Sequence, residues 1–252
     1  IYKRPSDDRT GEFETAALLG NELKPWLPDG MTAFPDPPRA ILTKHAGETL
    51  LSRLETAADD AERSRLYERV LRVLSGLHLA TLNKAPAWVR EGRAKPYAFS
   101  REWADRLVRD AETALPAAAA ELKRFVDEFY GSYSRESMRG PETFTHGDPH
   151  PGNVLLDGER LTLVDWEWTN VASPMRDAAI ALVDEPSDEL FFRLGRLHAD
   201  LLVSGGMTAE PERLMHDFLL MAADNTLMML GWDFSRHLGG ALSRAELESR
   251  CE

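Results

Sequence analysis

Apolar residues recur at three- to four-residue intervals over most of this chain, the repeat of a helix with one buried face. Leu66, Val70, Leu74 and Leu77 form such a stripe inside a helical pattern running from Glu48 to about Leu82. Lys95 to Leu115 reads as a second helix. Leu122, Val126 and Phe129 place a third between Glu121 and Tyr130, with Gly131 to end it. Leu190, Leu194, Leu197 and Leu201 give a further stripe closed by Gly205-Gly206, and Pro211 to Leu230 predicts another helix. Near the front, Thr10 is placed to cap a helix carrying Phe13, Ala17 and Leu18.

The period changes between Glu142 and Trp168. Thr143-Phe144-Thr145 is strand-like, and the apolar runs Asn153 to Leu156 and Leu161 to Val164 flank Asp157-Gly158, a strong hairpin signal. Ile1 to Arg4 and Arg39 to Thr43 are short strand candidates, and the Pro-, Gly- and Asp-rich stretch Pro25 to Pro38 reads as a loop. A strand–helix–strand fragment, a linker and a mostly helical region with a hairpin in its middle make an α+β arrangement. Strands and helices do not alternate as a doubly wound parallel sheet would require.

Composition narrows the function classes. The chain has 252 residues, 43% hydrophobic, with a formal net charge of -12. That apolar content can fill a core, and the acidic balance lacks the positive footprint of a nucleic-acid binder. The single cysteine, Cys251, allows neither an internal disulfide nor a cysteine-based zinc site. No apolar run reaches membrane-spanning length and no secretory signal opens the sequence, so a cytoplasmic protein with no membrane partner is expected.

The chemistry concentrates in Thr145-His146-Gly147-Asp148-Pro149-His150-Pro151-Gly152-Asn153. An Asp followed five positions later by an Asn is the spacing of a kinase catalytic loop. There the Asp accepts the proton of the attacking hydroxyl and the Asn ligates Mg²⁺. The Asp must face the acceptor and the Asn the metal, and Pro149, Pro151 and Gly152 can turn the backbone between those directions. A hairpin turn across Asp157 to Arg160 would set Asn153 beside Val164 and Asp165. Two oxygen ligands would then stand at the hairpin mouth, with Glu167 as a possible second metal contact. His146, Asp148 and His150 also spell a ligand-rich set for a metal-dependent hydrolase, although no other histidine groups with them. Asp184, Glu185, Asp188 and Glu189 form an acidic cluster, either a solvated face or a cation-binding rim.

His146-Gly147-Asp148 through Asn153, followed by Val164-Asp165-Trp166-Glu167, resembles the signature of the aminoglycoside phosphotransferase and choline kinase family. Pro174 to Ala179, Ala46 to Leu50 and Gly76-Leu77-His78 are similar to other segments of that family. The resemblance implies a protein-kinase-like two-lobed fold, with an incomplete nucleotide-binding lobe and hinge over residues 1–45. A catalytic and substrate-binding lobe, mostly helical with a central hairpin, would occupy residues 46–252. It implies Asp148 as catalytic base and Asn153 and Asp165 as metal ligands, with Asp177 buttressing the loop. Lys3 would contact the phosphates, paired with Glu14 rather than Glu12, and the backbone of Thr43, Lys44 and His45 would pair with the purine. Mg²⁺, ATP or GTP, and a small-molecule hydroxyl acceptor follow, a cationic amino-sugar or amino-alcohol being the expected class. Two strands and a phosphate-covering loop are expected ahead of Ile1. Their absence from the sequence keeps a silent nucleotide-binding pseudokinase module as the competing reading.

Overall fold

The computed structural model describes residues 2–3, 11–34, 40–42, 47–98, 101–133 and 137–251. In chain order the elements begin with β1 (Tyr2–Lys3), α1 (Gly11–Leu23), β2 (Thr32–Phe34), β3 (Ala40–Leu42) and β4 (Glu48–Thr49). Helices α2 (Leu50–Glu55), α3 (Asp60–Thr81), α4 (Ala85–Arg90), α5 (Arg101–Ala114) and α6 (Pro116–Ser132) follow. Next come β5 (Thr143–Thr145), β6 (Val154–Asp157), β7 (Arg160–Leu163) and β8 (Asn170–Ala172). Helices α7 (Met175–Ala181), α8 (Asp188–Ser204), α9 (Pro211–Leu238) and α10 (Arg244–Cys251) complete the order.

The α+β arrangement read from the sequence is present. By compactness the chain divides into one unit of residues 1–97 with 139–218 and another of residues 98–138 with 219–252. This is a different cut from the lobe boundary expected between residues 45 and 46, and the hinge residues 43–45 lie outside the described residues.

The first unit carries small antiparallel sheets ordered β1-β3-β2, β4-β6-β7 and β5-β8. The expected hairpin forms with Val154 opposite Leu163 and Asp157 opposite Arg160, and the Val164 N–H donates to the Asn153 carbonyl at 3.0 Å. Asn153 therefore lies beside the end of the return strand, as the turn chemistry predicts.

The continuous helix expected from Glu48 to Leu82 is interrupted. Glu48 and Thr49 pair with Leu156 and Leu155 of β6. After α2 the chain restarts at Asp59, whose carboxylate accepts the Glu62 N–H at 2.8 Å while Glu62 accepts from the Ala58 N–H at 2.9 Å. The Asp59 cap satisfies an N–H that a new helix leaves without a partner, and Glu62 ties the entering chain at Ala58, so α3 begins there.

Leu66, Val70, Leu74 and Leu77 are buried on α3 as predicted, joined by Tyr67 and Leu71. On α8, Leu190 and Leu194 are buried, but the stripe continues through His198, Ala199 and Leu202 rather than Leu197 and Leu201. Strand β2 falls inside the stretch that read as loop, and β8 falls where the sequence pattern assigned no element. Each is three residues long, too short for a period to register, and each exists because a partner strand meets it.

In the second unit, Ala104, Leu107, Val108 and Ala111 of α5 pack with Val126 and Phe129 of α6. Leu220, Leu227 and Phe234 of α9 and Leu247 of α10 complete that core. The helix expected from Lys95 begins at Arg101 instead. Lys95 to Tyr97 is extended, with Val171 N–H donating to Lys95 O and Tyr97 N–H to Val171 O, both at 2.8 Å. Among the described residues no helix is long and apolar enough to cross a membrane.

Candidate active site

Strand β5 delivers the chain into the loop that carries Asp148. Gly147 has φ 87, and a Cβ there would fall 1.9 Å from the Trp168 carbonyl oxygen. Only glycine fits that backbone at that distance. Behind the loop, the buried Asp177 carboxylate accepts the N–H groups of His146 and Gly147, each at 2.8 Å, and His78 Nε2 lies 3.0 Å from it. The buttress expected of Asp177 thus has a physical form: three donors converge on one carboxylate. Burial, the largest single effect, opposes its ionisation, but the His78 hydrogen bond, the two neighbouring imidazoles of His78 and His146 and the Gly147 N–H together hold it below the usual carboxylate range.

His146 ties the loop to the hairpin. Its Nδ1 accepts the Asp148 N–H at 3.3 Å, which places the ring proton on Nε2, and Nε2 donates to the Val164 carbonyl at 3.0 Å. One imidazole therefore joins the peptide before Asp148 to the peptide before Asp165. Burial pushes its pKa down to about 4, against the opposing pull of Asp177, the Val164 carbonyl and Asp165. The neutral tautomer is the one this geometry needs. The ring packs against Trp166 with centroids 4.5 Å apart. Trp166 is fully buried, with Nε1 donating to Leu163 O at 3.0 Å, so it belongs to the core, whereas Trp168 is 52% exposed.

Asn153 Nδ2 donates to the Asp148 carbonyl at 3.0 Å and to its carboxylate at 3.1 Å. Asp165 has φ 66, the one non-glycine residue with positive φ among those described. A non-glycine residue held in the left-handed region is a strained feature that the surroundings must enforce. Burial raises the Asp148 carboxyl to about 6, opposed by His150 and Arg176 and reinforced by Asp165 and Asp177. Asp148, Asn153 and Asp165 therefore share one electrostatic neighbourhood at the hairpin mouth.

The segment after Asp165 is braced by α1. Thr15 and Thr169 share a hydroxyl–hydroxyl hydrogen bond of 2.7 Å, and a Cβ on Gly11 would lie 2.0 Å from the Glu167 carbonyl oxygen. Glu167 is half-buried in the 3-10 turn Trp166–Trp168. Glu14 lies 3.3 Å from Lys95 Nζ, and of the two acidic candidates on α1 it is Glu12 that is buried. Lys3 is placed in β1 opposite Ile41 of β3, and Thr43, Lys44 and His45 fall outside the described residues.

The His-based hydrolase reading finds no footing. Both ring nitrogens of His146 are engaged, His150 Nδ1 accepts the Gly152 N–H at 3.1 Å, and among the described residues no three His, Cys, Asp or Glu side chains group to hold a metal. The acidic cluster is partly structural: the buried Glu185 pairs with Arg63 at 2.9 Å, while Asp188 and Glu189 occupy the first turn of α8. Sequence reading passed over Arg176, which touches the loop, and Tyr97, which touches Arg176. Arg176 donates from Nη1 to the Gly147 carbonyl at 2.5 Å, and its guanidinium lies 4.6 Å from the Tyr97 ring centroid. A charged residue next to the apolar run Ala178 to Ala181 was the available signal for Arg176. Tyr97 had none.

This arrangement of helices, small antiparallel sheets and catalytic-type loop is a kinase-like fold. The pattern that defines the phosphotransferase enzyme family matches residues 17–214, most of the chain, and the chain belongs to that family. A choline/ethanolamine kinase family protein from Mesorhizobium loti superposes with a TM-score of 0.66 at 18% identity, covering 99% of this chain and 78% of that one. The choline kinase LicA from Streptococcus pneumoniae gives 0.63 at 16% identity, covering 99% and 82%. A mutant aminoglycoside 2'-phosphotransferase-IIIa in complex with GDP gives 0.63 at 14% identity, covering 99% and 84%. At these identities the likeness concerns the fold. No curated protein sequence matches the chain.

Proposed function

We propose that this phosphotransferase moves the γ-phosphate of ATP or GTP to a hydroxyl group of a small molecule, with a cationic amino-sugar or amino-alcohol as acceptor. The observation that carries the reading is the contact between Asn153 and Asp148, with Asp165 beside them. In this reading Asp148 orients the acceptor hydroxyl and takes its proton as the bond to phosphorus forms. One of its oxygens is held by Asn153, which leaves the other for the hydroxyl. Its raised carboxyl, near 6, suits a base that works close to neutral pH.

The donor set fits Mg²⁺, which usually takes one or two carboxylates and fills its remaining positions with water and phosphate oxygens. Asn153 and Asp165 would hold it, with Glu167 as a further contact, and it would neutralise charge on the phosphates. Lys3 is assigned to the α- and β-phosphates with Glu14 as its partner, and the backbone of Thr43, Lys44 and His45 to the purine. The nucleotide-binding lobe is accordingly assigned to residues 1–45 and the catalytic and acceptor-binding lobe to residues 46–252. Positioning and electrostatics, not covalent catalysis, supply the acceleration.

The test is a transfer assay on the intact protein with Mg²⁺, ATP or GTP, and a panel of amino-sugars, choline and homoserine. Acceptor-dependent formation of a phosphomonoester is expected. Nucleotide binding without transfer to any member of a broad acceptor panel would replace this reading with a silent binding module.

A further inference from the structure

We propose that Arg176, seated on Tyr97, is a positioning residue that sets the direction in which Asp148 presents its carboxylate; this rests on the phosphotransfer reading of Asp148. The peptide joining Gly147 to Asp148 is gripped at both ends. Its oxygen accepts from Arg176 Nη1 at 2.5 Å, and its N–H points to His146 Nδ1 at 3.3 Å. With both ends held, the peptide plane cannot rotate. Rotation there would swing the Cα–Cβ bond of Asp148 away from its present direction. Gly147, at φ 87 and without a side chain, would otherwise be the most freely turning residue of the loop.

Arg176 is suited to this task by burial and by shape. It is 5% exposed, among Met175, Ala178, Ala179 and Ile180, where an unpartnered guanidinium would be costly. One end of the guanidinium bonds the loop carbonyl while its plane lies against the Tyr97 ring, 4.6 Å from Cζ to centroid. Only a flat cation can donate and stack at once; a lysine ammonium cannot do both. Tyr97 is itself anchored, because its N–H donates to Val171 O at 2.8 Å and the adjoining Lys95 carbonyl accepts from Val171 N at 2.8 Å. The backbone that carries the ring is thus tied to β8. Asp177, the next residue of α7, holds the N–H groups of His146 and Gly147. Adjacent side chains of one helix therefore hold the donors and the acceptor of the same loop.

The experiment compares Arg176→Met, Arg176→Lys and Tyr97→Leu with wild type, using the intact protein. Steady-state kcat and KM are measured together with amide hydrogen exchange at His146, Gly147 and Asp148. A misplaced reacting group costs on the order of 100-fold. Arg176→Met should therefore lower kcat by roughly 30- to 100-fold while nucleotide KM stays within about twofold. Arg176→Lys and Tyr97→Leu should fall between it and wild type, with the Asp148 amide exchanging faster in all of them. A folded Arg176→Met with kcat within about twofold of wild type overturns the proposal. Should that variant fail to fold, unchanged kcat in both Arg176→Lys and Tyr97→Leu overturns it equally. Asp148→Asn with turnover near that of wild type would sink the assignment of Asp148 as the base instead. The exchange measurement still judges the clamp in that case, and an unaltered Asp148 amide in Arg176→Lys and Tyr97→Leu counts against it.

Discussion

The side-chain amide of Asn153 is turned with its nitrogen toward Asp148, 3.1 Å from the carboxylate and 3.0 Å from the carbonyl. The donor end of that amide is thereby spent on holding Asp148 in place. The acceptor end is the one a divalent cation would use. In the proposed mechanism one side chain would thus orient the base and keep an oxygen for a metal, a dual duty that asparagine can perform and aspartate cannot.

Asp148→Asn should lower turnover by about a thousandfold or more, since it removes the proton acceptor while keeping the shape. Nucleotide affinity should stay within about threefold, measured by calorimetry on the same sample. In wild type, kcat/KM should fall as pH drops through about 6, because the carboxylate is the active form and burial has raised its pKa to that value. An acid limb centred near 4 would show that another group governs the profile.

Asp165→Asn tests the metal assignment. Nucleotide affinity in the presence of Mg²⁺ should fall by about tenfold or more, and the affinity gain that Mg²⁺ confers on wild type should disappear. Titrations with and without Mg²⁺ decide it, and an intact gain would remove Asp165 from the ligand set.

Gly147→Ala should be severe despite its size. The added methyl would meet the Trp168 carbonyl at 1.9 Å with φ at 87, so the loop must move. Strain in that backbone region costs about 1–3 kcal/mol, readable as a lowered urea midpoint with turnover reduced in parallel. A variant as stable and as active as wild type would mean the loop has more freedom than its hydrogen bonds suggest.

Stability should decline as pH falls below 6.5. His146 and His198 are buried and neutral, with pKa values pushed down to about 4 and about 3, while the unfolded chain takes up protons near 6.5. Each histidine then costs about 1.4 kcal/mol per pH unit between 6.5 and its folded value. Asp148 acts in the opposite sense from about 6 downward, because the fold protonates it before the unfolded chain does; at 35% exposure, solvent screening keeps that gain small. Asp177, held below the usual range, adds its own loss at lower pH still. Urea midpoints at pH 7, 6 and 5 measure the net slope, and His198→Asn should flatten it. A midpoint independent of pH across that range would contradict the burial assigned to both histidines.

Much of the site was readable because its spacing is local. Asp148 and Asn153 are five residues apart, and the Asp157-Gly158 turn sets a register in which Asn153 must meet Val164. Side chains alternate along strands and turns admit few geometries, so a short segment of sequence carries that information. Helices α3 and α8 were legible for the same reason, one apolar stripe each. The buried member of the α1 acidic pair was not: nothing in the residues around Glu12 and Glu14 says which one the next layer will cover.

The amino-acid order by itself determined the α+β pattern, the loop bearing Asp148 and Asn153, and the hairpin that returns toward Asp165. Tertiary structure alone decided that Arg176 takes the Gly147 carbonyl, opposite the N–H groups held by Asp177, from about 30 residues away, a reach at which neither periodicity nor turn chemistry carries a signal. It also decided that Trp166 is core while Trp168 stays half exposed, and that Lys95 to Tyr97 leaves its helical pattern to pair with Val171. Those outcomes depend on which backbone groups need partners once distant segments meet, and a buried N–H or carbonyl takes its partner from whatever the fold brings near.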